Sequence, residues 1–180
     1  MFSQTTSSRV HWLPWILVTT GFWISSNIVL DFLVMPVMQV SGMTTQNDFA
    51  AAGYTLFWSF NRLELLCAAI ILTGVLALRR SPGEFDIGRG GSRCRWALAL
   101  GLGLLSLTLV DTYVLTPHMS ALAVSLDALS NTATMTSAMN WFHGLYWGLE
   151  ILKLGSLAFL GQLCYLDFRD RASAYMDGIG

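Results

Sequence analysis

The sequence predicts an all-α protein in which four helices cross a membrane and both chain termini lie in the cytoplasm. Of its 180 residues, 54% are hydrophobic and 12% are charged, and the mean hydropathy of +0.55 lies outside the range of soluble globular chains. The apolar residues form four stretches, each near the ~20 residues that a helix needs to span the hydrocarbon core. The arginines between the stretches are unevenly placed. These three observations predict a single integral membrane domain over residues 1–180.

The four stretches lie at residues 13–38, 54–78, 96–117 and 141–165. In the first, Arg9 precedes an apolar run in the manner of a signal peptide, but the run is too long for one, so we interpret it as a retained helix. The second ends before Arg79, and the third ends at Pro117, which interrupts the helical backbone. The fourth contains Gly144 and Gly148, small residues four apart that permit close helix contact. Interfacial aromatic anchors are expected at Trp12, Trp58, Trp96 and Trp141.

The positive charges outside the stretches occupy alternate connections. They are Arg9 before the first stretch, Arg79, Arg80, Arg89, Arg93 and Arg95 between the second and third, and Arg169 and Arg171 after the fourth. The other two connections, 39–53 and 119–140, contain only Asp48 and Asp127 as charged residues. Because cytoplasmic loops carry the excess of lysine and arginine, this distribution predicts cytoplasmic termini in a plasma membrane or bacterial inner membrane.

Several classes of function are excluded by simple features of the sequence. The net charge is −1 and the longest basic run is Arg79-Arg80, so no surface for nucleic acid is expected. Cys67, Cys94 and Cys164 are far apart and encode neither a disulfide framework nor a zinc site. The sequence has no GxSxG, phosphate-binding glycine loop or HExxH motif, so we do not expect an enzyme of a familiar type. The expected partners are the lipid bilayer and a membrane protein or a second copy of the chain.

Polar and ionisable side chains interrupt all four stretches. A purely structural bundle would avoid them, because an ionisable group in the hydrocarbon region is costly unless it is paired. Their depths coincide, since the acidic residues and Arg62 lie about 6–10 residues from the predicted outer ends, or ~9–15 Å at helical rise. Lys153 lies a turn deeper and the two histidines lie at the rim. The candidate residues are Asn27, Asp31, Asn61, Arg62, Glu64, Asp111, His118, His143, Glu150 and Lys153.

Helical phase agrees with depth. Asn27 and Asp31 are four residues apart and share one helix face, and the other three stretches show equivalent spacings of three or seven. Lipid cannot solvate these side chains, so the stripes should turn inward and form a polar chamber in the outer half of the bundle. Apolar residues such as Ile71 and Leu104 should close the chamber on the cytoplasmic side.

The predicted chamber has a formal charge of −2 with neutral histidines, because four carboxylates face two cations: Asp31, Glu64, Asp111 and Glu150 against Arg62 and Lys153. Protons on the carboxylates, a protonated histidine or a bound cation would neutralise the remainder, and the sequence does not choose among them. We therefore predict that the chamber binds or passes a cation, a metal ion or a proton. The alternative is a non-catalytic scaffold or assembly factor, in which paired charges fix the helix register.

A metal site is the most specific form of the first hypothesis. Methionines cluster in the outer third beside the histidines, at Met35, Met38, Met43, Met119, Met135 and Met139. Thioether and imidazole ligands suit Cu(I), whereas carboxylate and imidazole suit harder divalent ions, although methionine is also ordinary apolar filler. The candidate metal ligands are His118, His143, Met35, Met38, Met119 and Met139. Haem held by the two histidines, as in a cytochrome-like bundle, is a further alternative.

Short segments in three of the stretches resemble one membrane family. These are GFW at 21–23 and DFLVMPVM at 31–38 in the first stretch, TPH at 116–118 and WFHGL at 141–145. Together they resemble the family typified by transmembrane protein 205, a four-helix domain that is distantly similar to copper-resistance D proteins. The resemblance implies a four-helix membrane fold and an association with resistance to metal-containing drugs.

The resemblance also assigns individual residues. His143 matches the family histidine, and Pro36 and Pro117 match the family prolines. His118 stands where relatives often carry arginine, which argues against a two-histidine metal or haem site. Glu150 and Lys153 also depart from the family pattern, so the resemblance implies that the charged network belongs to this branch.

Overall fold

The computed structural model describes residues 12–41, 49–80, 92–129 and 133–177, and these residues are almost entirely helical. The α-helices are α1 (Trp12–Ile28), α2 (Met35–Val40), α3 (Phe49–Arg80), α4 (Ser92–Val110), α5 (Thr116–Leu129) and α6 (Ala133–Asp177). Two π-helical segments join consecutive helices, Val29–Val34 between α1 and α2 and Asp111–Leu115 between α4 and α5. The described part of the chain contains no strand.

Within the described residues, four helical segments are long and apolar enough to cross a membrane, which confirms the predicted four-helix fold. From the first span to the fourth they are Trp12–Met38, Ala51–Arg79, Ser92–Leu122 and Ser137–Arg169. Each span contains the corresponding apolar stretch and extends beyond it at one or both ends. Large apolar side chains remain exposed on the outside of the bundle, as in Trp15, Phe32 and Ile151, where they are available to lipid.

Both π-helical segments precede a proline by the same interval. Proline lacks a backbone N–H, and its ring clashes with the carbonyl four residues earlier, so an α-helical hydrogen bond cannot form there. The turn before each proline widens instead. The Met35 N–H donates to the Leu30 carbonyl and the Thr116 N–H donates to the Asp111 carbonyl, both five residues back. Pro36 and Pro117 therefore leave the helices continuous but change their winding, whereas the sequence analysis expected the third stretch to end at Pro117.

The spans form a closed ring in which consecutive spans pack together and the first packs against the fourth. Val40, Phe49, Leu129 and Ala133 end or begin helices at one end of the ring, which we call the hairpin end. The opposite end, where Trp12, Arg80, Ser92 and Asp177 begin or end helices, is called the terminal end. The half towards the terminal end has an apolar core in which Ile71 and Leu104 are fully buried, as predicted.

Candidate functional site

A fully buried lysine lies at the centre of the bundle and contacts three carboxylates. Lys153 Nζ is 2.8 Å from Glu64 Oε2, 2.9 Å from Asp111 Oδ2 and 2.5 Å from Glu150 Oε1. All four residues are at most 3% exposed. Since they come from the second, third and fourth spans, one ammonium group connects three helices. We call these four residues the lysine cluster.

Two side chains of the first span complete the cluster. The Trp23 indole Nε1–H donates to Glu64 Oε1 at 2.9 Å, and Asn27 Nδ2 donates to Glu150 Oε2 at 3.0 Å. Both residues are buried, and they lie four apart on one face of α1. Each donor thus satisfies the carboxylate oxygen that Lys153 does not contact, and all four spans contribute to the site.

A second layer of polar contacts lies nearer the hairpin end. The Tyr146 hydroxyl donates to Asp31 Oδ1 at 3.0 Å, joining the fourth span to the first. Asn61 Nδ2 donates to the Thr116 hydroxyl at 2.7 Å, joining the second to the third. Asp31 lies within the first π-helical segment, as Asp111 of the lysine cluster lies within the second. Both aspartates are therefore placed by the local widening of their helices.

Asp111 and Asn27 retain unsatisfied acceptor atoms. Asp111 Oδ2 lies 2.9 Å from the Lys153 ammonium, but Oδ1 has no hydrogen-bond donor among the described residues. Asn27 Oδ1 is likewise buried without a donor from the described part of the chain. A buried acceptor without a donor is costly because its desolvation is not offset. Both atoms could accept a hydrogen bond inside the site.

The charge count points in the same direction. Asp31, Glu64, Asp111 and Glu150 are buried carboxylates, and Lys153 is the one buried cation among the described residues of this region. If all four acids were ionised, the site would carry an excess of three negative charges inside the membrane. Such an excess is not tolerated in a low-dielectric interior, so protons or a bound cation must compensate it.

Comparisons with protein-family models, with curated proteins and with solved structures give no match to this chain. The function must therefore be argued from the site itself.

The structure brings most of the predicted chamber residues together but leaves three outside. Asn27, Asp31, Asn61, Glu64, Asp111, Glu150 and Lys153 are buried in the two layers described above. The prediction that Arg62 lines the chamber is wrong. Arg62 is exposed, and its guanidinium carbon lies 3.9 Å from the centre of the Trp58 ring. A long cationic side chain can leave the interior in this way and extend along the helix surface.

The two histidines are also outside the cluster. His118 and His143 are exposed, and the Nδ1–H of each donates to a carbonyl of its own helix, that of Val114 at 2.6 Å and that of Met139 at 3.0 Å. Among the described residues, the group of acidic, histidine or cysteine ligands that is close enough to hold a metal consists of Glu64, Asp111 and Glu150. It contains neither histidine.

The predicted methionine ligands are not part of this group of carboxylates. Met35, Met38, Met119 and Met139 are half-buried. Met43 and the side chain of Met135 lie outside what the structure describes. Among the aspartate, glutamate, histidine and cysteine side chains that the structure describes, the fold brings together oxygen donors, which suit hard cations and protons better than Cu(I).

Three residues of the site escaped prediction, namely Trp23, Tyr146 and Thr116. Trp23 lies four residues before Asn27, and Tyr146 lies four residues before Glu150. This spacing places each aromatic residue on a stripe that the sequence already marks as polar. A buried tryptophan or tyrosine usually finds a hydrogen-bond partner for its polar atom, so the spacing could have identified both residues.

Proposed function

We propose that this membrane protein binds and releases protons at the lysine cluster. One observation carries the proposal: three buried carboxylates surround one ammonium group, and Oδ1 of one of them, Asp111, has no hydrogen-bond donor among the described residues. A proton on Asp111 removes one negative charge and converts an orphan acceptor into a donor. The same change satisfies the electrostatics and the hydrogen bonding of the site.

Protons fit the cluster better than a metal ion. Glu64, Asp111 and Glu150 offer oxygen atoms within 4.8 Å of one another, a separation that a metal ion could bridge. Lys153 Nζ already occupies the position between them, so a metal would have to displace a buried ammonium from all three contacts. A proton needs no such displacement.

The polar layer of Asp31, Tyr146, Asn61 and Thr116 supports proton exchange from the hairpin end. The buried side chains towards the terminal end are mostly apolar, including Ile71, Leu104, Leu157 and Leu160. In the orientation that the arginines predict, the hairpin end faces the exoplasmic space. We propose that protons enter and leave the cluster from that side.

Infrared difference spectroscopy of the protein in liposomes tests the proposal. A shift from neutral to acidic pH should increase the C=O stretching band of protonated carboxyl groups. Asp111→Asn and Glu150→Gln should each remove part of that increase. Asp167→Asn is the matched control, because Asp167 is also buried but lies near the terminal end, several turns from the cluster. An unchanged band in the wild type, or equal losses in all three variants, would contradict the proposal.

Elemental analysis of the purified protein separates protons from metals. If the wild type contains stoichiometric metal that is lost in Asp111→Asn and retained in Asp167→Asn, the ligand of the lysine cluster is a metal ion and not a proton.

A scaffold role is a second candidate, favoured by the way in which Lys153 links three spans. In that case Glu150→Gln should lower thermal stability without any change in the carboxyl band on acidification. The two candidates therefore differ in a spectroscopic signal as well as in stability.

A further inference from the structure

The first and third spans have matching sequences at a separation of 81 residues. The identical pairs are Trp15 and Trp96, Leu17 and Leu98, Ser25 and Ser106, Val29 and Val110, Pro36 and Pro117, and Met38 and Met119. The paired serines have the same role, because each hydroxyl donates to the carbonyl four residues earlier, Ser25 at 2.7 Å and Ser106 at 2.9 Å. The π-helical segments also match, since both end two residues before the paired prolines.

The second and fourth spans match in the same way at a separation of 89 residues. The segment LFW at 56–58 corresponds to LYW at 145–147. The identical pairs are Leu56 and Leu145, Trp58 and Trp147, Leu63 and Leu152, Leu65 and Leu154, and Ala69 and Ala158. The two separations differ because the connection inside each pair of spans has a different length.

Burial follows the same correspondence. Buried residues correspond to buried residues in the pairs Leu13 and Cys94, Ile16 and Ala97, Trp23 and Leu104, Asn27 and Thr108, Asn61 and Glu150, Glu64 and Lys153, and Ile71 and Leu160. A slip of one residue would rotate a helix by about 100° and destroy this agreement. The first two spans, here called the first hairpin, are therefore equivalent to the last two, the second hairpin.

Contacts between the hairpins are duplicated as well. Gly101 of the third span faces the second, where a Cβ atom added to it would lie 4.0 Å from the Leu72 Cβ. Thr20 corresponds to Gly101, and Gly161 corresponds to Leu72. If the two hairpins are equivalent, Thr20 should therefore contact Gly161. The structure contains that contact, because a Cβ on Gly161 would lie 3.7 Å from the Thr20 Cγ2. The two interfaces between the hairpins are thus related by a rotation.

Two contacts join a residue to its own counterpart. Lys153 corresponds to Glu64, and their charged atoms are 2.8 Å apart. Tyr146 corresponds to Phe57, and their ring centres are 5.6 Å apart. Equivalent residues meet in this way only on a two-fold axis. Both pairs join the second span to the fourth and lie two turns apart along them, so the pseudo-twofold axis runs along the bundle and through the lysine cluster.

The hairpins differ where the charges lie. Asp111 and Glu150 surround Lys153, but their counterparts Leu30 and Asn61 are uncharged. Two identical charges facing each other on a two-fold axis would repel, whereas a duplicated chain can place glutamate on one side and lysine on the other. The ion pair at the centre is therefore a feature that two identical hairpins do not provide.

We infer that the chain is a tandem duplication of one helix hairpin, and that its buried charges form a cation site between two halves that move against each other about the pseudo-twofold axis. Membrane transporters built from parallel repeats place their substrate and coupling-ion sites in this position, at the interface of the repeats. The identity of the cation as a proton rests on the proposed function, whereas the duplication stands on the contacts above and the movement follows from the loss of the Asp111 charge by any route.

The paired π-helical segments place one hinge in each hairpin. Local π-helix and proline both interrupt the regular hydrogen bonds of a helix and are common at points of bending. Asp31 lies in one segment and Asp111 in the other. Neutralising Asp111 weakens its attraction to Lys153, which holds the third span against the fourth and, through Glu64, against the first hairpin.

Pulsed electron paramagnetic resonance of the full chain tests the movement. The buried native cysteines Cys67, Cys94 and Cys164 are first replaced by alanine. Spin labels are then attached at cysteines replacing Val37 and His118, which are exposed, equivalent and beyond the hinges. In liposomes the 37–118 distance should shift on acidification, and Asp111→Asn should produce the same shift at neutral pH. The distance within the first hairpin, between labels at Val18 and Leu66, which are exposed on the same side of the hinge, should stay constant.

A disulfide provides the matched control. Leu72→Cys with Gly101→Cys has the Cβ separation that a disulfide requires and locks one interface between the hairpins. It should abolish the shift, and reduction should restore it. A 37–118 distance that stays constant in acid and in Asp111→Asn, or an 18–66 distance that changes equally, would overturn the inference. An absent carboxyl signal, by contrast, would contradict the proposed function alone, because Asp111→Asn tests the movement without protons.

Discussion

Lys153 and Asp111 are expected to have opposite effects when their charges are removed. Lys153 is the cation shared by three carboxylates, and losing one partner of a buried ion pair leaves charges without compensation. Asp111 instead belongs to the acidic excess, since Lys153 also contacts Glu64 and Glu150. Its neutralisation weakens one contact to Lys153 but also relieves its repulsion with the two glutamates.

Lys153→Met should therefore destabilise the protein by about 3–5 kcal/mol, the usual cost of breaking a buried ion pair. Asp111→Asn should leave the stability unchanged or raise it. Thermal unfolding in detergent measures both effects. Arg62→Met is the control for loss of a cation, since Arg62 is exposed and should tolerate the change. A similar loss of stability in Asp111→Asn and Lys153→Met would show that the acids are not in excess.

Trp23 is expected to stabilise the cluster through its indole N–H. Trp23→Phe keeps most of the buried ring but removes the donor to Glu64, and a hydrogen bond to a charged group contributes about 1.5–3 kcal/mol. The midpoint of thermal unfolding should fall accordingly. Trp15→Phe also removes an indole N–H, but from a residue that is 59% exposed, so this substitution should have little effect on stability. Equal effects of the two substitutions would assign the loss to ring size instead.

Most residues of the site could be predicted from depth and helical phase. Seven of the ten predicted chamber residues are buried in its two polar layers, because an unpaired polar atom in a membrane span is forced inward. Arg62 shares their depth, but its length lets the charge leave the interior, which spacing alone does not reveal. Trp23 and Tyr146 were missed for the opposite reason, since they are counted as hydrophobic although each carries a polar atom.

The prolines of the first and third spans are expected to position the aspartates. Pro117→Ala restores an N–H donor and removes the ring clash that widens residues 111–115. The segment should then return to α-helix, and the Asp111 side chain should change its angular position around the helix axis relative to Thr116. Stability should rise by up to about 3 kcal/mol, the cost of an interior proline, while the carboxyl infrared signal of the cluster should decrease.

Thermal unfolding and amide hydrogen exchange across 111–117 check this expectation. Pro14→Ala is the matched control, because Pro14 is exposed in the first turn of α1, where no α-helical hydrogen bond is lost. An equal gain in stability from both substitutions would show that Pro117 is not the cause of the π-helical segment.

At the scale of the whole molecule, four spans and their inward polar stripes followed from hydropathy and helical period. The duplication is not visible in the sequence as one internal period, because the two pairs of spans repeat at different separations of 81 and 89 residues. Weak similarity in apolar segments is also expected for any two membrane helices. The two halves are related geometrically by contacts in the folded chain, namely Gly101 with Leu72, Thr20 with Gly161, Glu64 with Lys153 and Phe57 with Tyr146.

The orientation of the bundle determines which compartment reaches the cluster. The distribution of arginines predicts that connection 81–91 and the terminal flanks face the cytoplasm. The opposite orientation would lose the attraction of these arginines to the anionic cytoplasmic surface, which contributes about 1 kcal/mol for each charge near that surface. Single cysteines at Ser41 and Ser173, exposed at opposite ends of the bundle, report the orientation in intact cells. A membrane-impermeant maleimide should label Ser41→Cys directly and Ser173→Cys only after permeabilisation. The buried native cysteines should give little background. The converse pattern would place the polar layer on the cytoplasmic side, and protons would then reach the lysine cluster from the cytoplasm.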